Sequence, residues 1–118
     1  MTEPLLATML VGVGGALGAS ARHAVGLAID GRESVVVVNA AGSLVLGGVL
    51  AAPLGSAVTL AVAVGFCGAF TTFSSFAVET VTTADGGEIG VASGFAVTNL
   101  VAAVLALLAG SGIVAAIV

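Results

Sequence analysis

Charged side chains are nearly absent from this chain. Among 118 residues there are two basic ones, Arg22 and Arg32, and six carboxylates, Glu3, Asp30, Glu33, Glu79, Asp85 and Glu88. A soluble domain carries about 25% charged residues, whereas here the figure is 7%, with 59% apolar residues and a mean hydropathy of +1.32. That balance excludes a water-soluble globular protein and predicts an all-α integral membrane protein with no soluble domain. Basic residues are too few, and the net charge of −4 has the wrong sign, for binding nucleic acid or an anionic membrane surface. Cysteine is equally scarce. Cys67 stands alone, so no internal disulfide can form, and it reads as a small buried apolar residue. There is no Cys/His cluster, no phosphate-binding Gly/Lys loop and no Ser/His/Asp set, so no enzymatic activity is expected. The N-terminus lacks the basic region and cleavage site of a signal peptide, and its first apolar run reads as a retained helix.

What remains is long apolar sequence. Residues 34–78 and 89–118 carry no formal charge. A helix needs roughly 20 apolar residues to cross the hydrocarbon, so the uncharged stretches predict spans at 5–29, 35–52, 57–80 and 89–114 within a single transmembrane domain, residues 1–118. An even number of spans puts both termini on one side. Both arginines fall at the end of span one or in the loop after it, which is a weak orientation signal and allows insertion either way. Four short helices are few to enclose a pore, so an oligomer in the lipid of the cell membrane is expected.

The segment Gly65-Phe66-Cys67-Gly68-Ala69-Phe70-Thr71-Thr72-Phe73-Ser74-Ser75-Phe76 interrupts this uniform chain with glycine, hydroxyls and rings. Unpaired backbone is tolerated inside a membrane only where it lines a cavity or binds an ion, so a break in the third span is the first place to look for chemistry. Beyond the break, Phe73 and Phe76 share one helix face, with Thr72, Ser75, Glu79 and Thr82 on the adjacent one. Phenyl edges are electropositive and suit weak contact with a small anion; filling a helix interface is the alternative reading of the rings. Asn39 is the strongly polar residue of span two, and its NH2 group can serve an anion or a neighbouring helix. Arg22 either has a structural role or attracts anions to a vestibule. Gly14 and Gly18, and the stripe Ser43, Gly47, Ala51, let helices approach closely. Gly110 to Gly112 predict a late kink or fraying in span four.

Three motifs in order, Gly14-Gly15-Ala16-Leu17-Gly18-Ala19-Ser20-Ala21-Arg22-His23, Val38-Asn39-Ala40-Ala41-Gly42-Ser43 and the 65–76 segment, make the chain resemble the Fluc (CrcB) family of fluoride channels over essentially its whole length. The resemblance implies an antiparallel, dual-topology homodimer with two fluoride pathways, giving passive fluoride export and so fluoride resistance. It implies that Asn39 projects into the pore, that Phe73 and Phe76 meet fluoride edge-on, that Ser74 and Ser75 belong to the polar lining, and that Arg22 belongs to the vestibule. It further implies that the backbone carbonyls of Gly68 and Thr71 bind a structural sodium ion at the dimer centre. Ser75 stands where the family often has Thr, and His23 where it often has Tyr. Two other readings compete: a small multidrug-type four-helix transporter, which needs a membrane-embedded carboxylate that span one lacks, and one subunit of a heterodimeric fluoride channel.

Overall fold

The computed structural model describes residues 2–118. Helix α1 runs Pro4–Ala28, opened by Glu3, whose carboxylate accepts from the N–H groups of Leu5 at 2.9 Å and Leu6 at 3.2 Å. A carboxylate at this position satisfies two of the amides that a helix start leaves unpaired and complements its dipole. Helix α2 spans Gly31–Ala51. The third crossing, Ser56–Asp85, is composite. It begins as α3, Ser56–Thr59, widens into a π-helical segment, Leu60–Cys67, tightens into α4, Gly68–Phe70, and after two extended residues resumes as α5, Phe73–Asp85. Helix α6, Ile89–Ile117, closes the chain. The turn before it uses Gly87 at φ 87°, a backbone angle that disfavours any side chain.

All four crossings are long and apolar enough to span a bilayer. The protein is a multi-pass integral membrane protein with the four-helix, broken-third-helix architecture expected from its sequence. The helices outlast the apolar stretches that announce them: α2 starts at Gly31 rather than 35, and α5 ends at Asp85 rather than 80. Backbone hydrogen bonding continues past the hydrocarbon edge, where Arg32, Glu33 and Asp85 can sit in helices and still reach water.

Packing pairs α2 with α6 and α1 with the π-helical segment. In the first pair the backbones nearly touch: a methyl group at Gly47 would strike the Leu107 carbonyl, and one at Gly110 the Leu44 carbonyl. Gly110 therefore neither kinks nor frays α6, as its sequence context had predicted. It is buried inside a continuous helix, where the missing side chain admits α2. In the second pair Gly14 and Gly18 face the carbonyls of Ala61 and Phe66. With lipid as solvent there is no hydrophobic drive between helices, and close backbone contact of this kind supplies the dispersion energy.

Candidate ion pathway at the break in the third crossing

The break consists of Thr71 and Thr72, whose backbones are extended at φ/ψ of −80°/160° and −145°/118°. Two extended residues inside a membrane leave amide groups to be satisfied, and one side chain does most of it. Asn39, 8% exposed on α2, accepts from the Thr72 N–H through Oδ1 at 2.7 Å and donates from Nδ2 to the Thr72 carbonyl at 3.1 Å. The amide of Asn39 thus mimics the backbone partner that a neighbouring strand would offer. Its second Nδ2 proton goes to Asn99 Oδ1 on α6, also at 3.1 Å. Thr72 in turn caps α5, its Oγ1 accepting from the Ser75 N–H at 3.1 Å, and its hydroxyl lies 3.4 Å from that of Ser74.

These substitutions free particular carbonyls. In an unbroken helix the Thr72 N–H would bond the Gly68 carbonyl and the Ser75 N–H the Thr71 carbonyl. Here both donors are diverted, to Asn39 and to the Thr72 hydroxyl. Across this break the carbonyls of Gly68, Ala69, Phe70 and Thr71 all lose their helical donors, and Gly68 and Thr71, the two residues that the sequence resemblance assigns to sodium, are among them. Unwound carbonyls in a membrane protein are ligands suited to sodium, so the donor set fits that ion.

A groove of about 670 Å³ opens beside the break, and its walls include Asn39, Gly68, Thr71, Phe73, Phe76 and Asn99. The Phe73 and Phe76 rings stand 5.7 Å apart at 50°, and Phe76 continues to Phe95 of α6 at 5.5 Å and 38°. Phe73 is 78% exposed, presenting a bare ring to the groove. Arg22 lies elsewhere. It shares a second cavity, about 450 Å³, with His23, Ser34, Thr72 and Ser75, so a cation faces the opposite side of the Asn39–Thr72 latch. Ser74 and Ser75 meet Glu79 in a third cavity of about 370 Å³. Within one chain the residues named from sequence are thus split: Asn39, Phe73, Phe76, Gly68 and Thr71 gather in one groove, while Arg22, Ser74 and Ser75 lie around Thr72 on its other side.

The family model for CrcB-like protein, Camphor Resistance (CrcB), matches residues 9–111. The chain belongs to the CrcB family. It is 53% identical over 115 residues to a protein of Natronomonas pharaonis named "Fluoride-specific ion channel FluC 2", a match covering 96% of this chain and 98% of that one. Two proteins of Haloarcula marismortui are also similar. One, "Fluoride-specific ion channel FluC 2", is 46% identical over 89% of this chain and 91% of its own length; the other, "Fluoride-specific ion channel FluC 1", is 39% identical over 94% and 97%.

In this CrcB chain the structure adds three side chains to the site. Thr72 is its hub, yet the sequence marked it only as part of a polar face. Asn99 is one of several polar residues in the fourth crossing, with Ser93 and Thr98, and Phe95 stands in an otherwise featureless apolar run. An aromatic residue at helical spacing carries no sign of which helix it will meet, so only the α5 and α6 packing reveals Phe95.

Proposed function

We propose that this chain is a fluoride-selective channel through which fluoride leaves the cell passively, conferring fluoride resistance. The carrying observation is the 53% identity to a named fluoride-specific channel across 96% of the chain, and the geometry supports it. An anion as strongly hydrated as fluoride needs several weak donors in a narrow path rather than one tight cationic site. Amide, hydroxyl and ring-edge donors are what surround the break. In this reading Arg22 recruits anions to the vestibule, Ser74 and Ser75 line the passage, Phe73 and Phe76 contact fluoride through their ring edges, and Asn39 stands at the junction of the two sides.

The assembly is a homodimer of antiparallel copies. Two features support it: the weak, one-sided arginine bias, which permits both orientations, and the open groove with its bare Phe73 ring, which a second copy would enclose. The Gly68 and Thr71 carbonyls of each copy would hold a sodium ion at the dimer centre. When bound, the ion supplies a fixed positive charge that ties two broken helices together and favours an anion nearby. A paired heterodimer is the second reading, favoured by the presence of relatives numbered 1 and 2 in one organism. Fluoride efflux from liposomes containing only this purified chain, read with a fluoride electrode at a potassium-set voltage, tests both. Rapid release without chloride release is expected; none from a folded preparation would exclude a self-sufficient channel.

A further inference from the structure

The one histidine of the chain takes no part in the Asn39–Thr72 latch or in the ring pairs. His23 is exposed on α1, directly after Arg22, and both side chains line the cavity of about 450 Å³ on the far side of the latch. Among the described residues, α2 contributes Ser34 and two valines to its walls, and the break and α5 contribute Thr72 and Ser75. None of these titrates or carries charge, so Arg22 is the one charged side chain that shares the cavity with His23. Glu79 belongs to the adjoining cavity, which meets this one along Ser34, Val35 and Ser75. Thr72 is bonded to Asn39, so the space beside His23 extends from the last turns of α1 to the break itself.

We propose that His23 is a protonation-dependent second cation of this cavity: as imidazolium it joins Arg22 in drawing fluoride in, and as neutral imidazole it leaves Arg22 to act alone. This rests on the fluoride-channel reading above, in which Arg22 recruits anions. Histidine is the side chain whose ordinary titration falls between about pH 5 and 8, whereas a guanidinium stays charged throughout that range. A change of anion recruitment with pH there therefore isolates His23 from its neighbour. The sign follows from the charges. A proton on His23 adds one positive charge to a cavity whose walls hold one cation and no carboxylate, so recruitment is greater in acid and falls as pH rises. Low-dielectric walls around a charge of one sign focus its field on an entering anion.

Single-channel current through the purified chain in a planar bilayer, with equal fluoride on both sides, tests this, because neutral hydrogen fluoride carries no current. At low ionic strength the wild-type conductance should be roughly two- to threefold larger at about pH 5.5 than at about pH 8, the effect of one unit charge on an anion several ångströms away in water. An impermeant salt should flatten that difference, since it screens exposed charges. These wild-type measurements need no variant to fold. His23→Gln, neutral at both pH values, should show no change between them, and His23→Lys, charged at both, should hold the larger conductance throughout. A wild-type conductance equal at the two pH values, a rise indifferent to salt, or a rise retained by His23→Gln would overturn the proposal. Absence of any fluoride current from the wild-type chain would instead strike the channel reading itself, a failure distinct from a conducting channel that ignores pH.

Discussion

Phe76 combines observed packing with a proposed part in transport. Its ring touches Phe73 on its own helix and Phe95 on α6, and such ring pairs are worth about 0.5–1.5 kcal/mol each beyond their buried area. Phe76→Ile removes both pairs and the electropositive ring edge while keeping an apolar residue of similar bulk. The expected outcome is a stability loss of roughly 1–3 kcal/mol, an elution profile like wild type, and fluoride efflux reduced to that of protein-free liposomes. Retained efflux would take the ring out of the pathway. At this scale the sequence was informative where chemistry is rare: a lone amide amid valines, rings amid hydroxyls. Asn39 could be singled out in that way, but not what it bonds. Its partners are 33 and 60 residues away along the chain, and nothing local records where its two amide protons go.

Among the elements, glycine spacing decides which helices touch. Gly18 sits where a side chain would enter the Phe66 backbone, whereas Gly12, six residues earlier on the same helix, has nothing within 4 Å of the place a methyl group would occupy. Gly18→Val should therefore separate α1 from the π-helical segment and give little folded protein. Gly12→Ala should fold and gain about 0.5–1 kcal/mol from reduced backbone entropy in the unfolded chain. Unfolding titrations in mixed micelles with SDS measure both; equal behaviour of the two variants would refute this packing. The small-residue spacing of α1 and α2 was legible from sequence because close helix contact demands it. The π-helical segment was not. Residues 60–64 read as ordinary apolar helix and 65–67 as the start of the break, whereas the structure makes Leu60–Cys67 one π-helical segment packed against Gly14 and Gly18.

For the whole molecule the proposed dimer raises the question of what would draw two copies together. If sodium is held by the freed Gly68 and Thr71 carbonyls of both, the ion binds only the assembled state and stabilises it by mass action, by about 2.7 kcal/mol at a concentration one hundred times its Kd. Exchange of sodium for a bulky organic cation during purification should shift the protein from dimer toward monomer, and sodium added back should reverse the shift; light scattering in detergent reads both. A dimer indifferent to sodium would remove the ion from the assembly. The sequence by itself determined that this is a four-helix membrane protein with a broken third crossing, because the bilayer demands long uncharged stretches and tolerates irregular backbone only at a site of function. Only the tertiary structure decided which groups are left for an ion. Hydrogen bonds in a membrane must be satisfied within the protein, so each donor that Asn39 and Thr72 divert from the helix releases an acceptor elsewhere, and that exchange depends on three crossings meeting at one point.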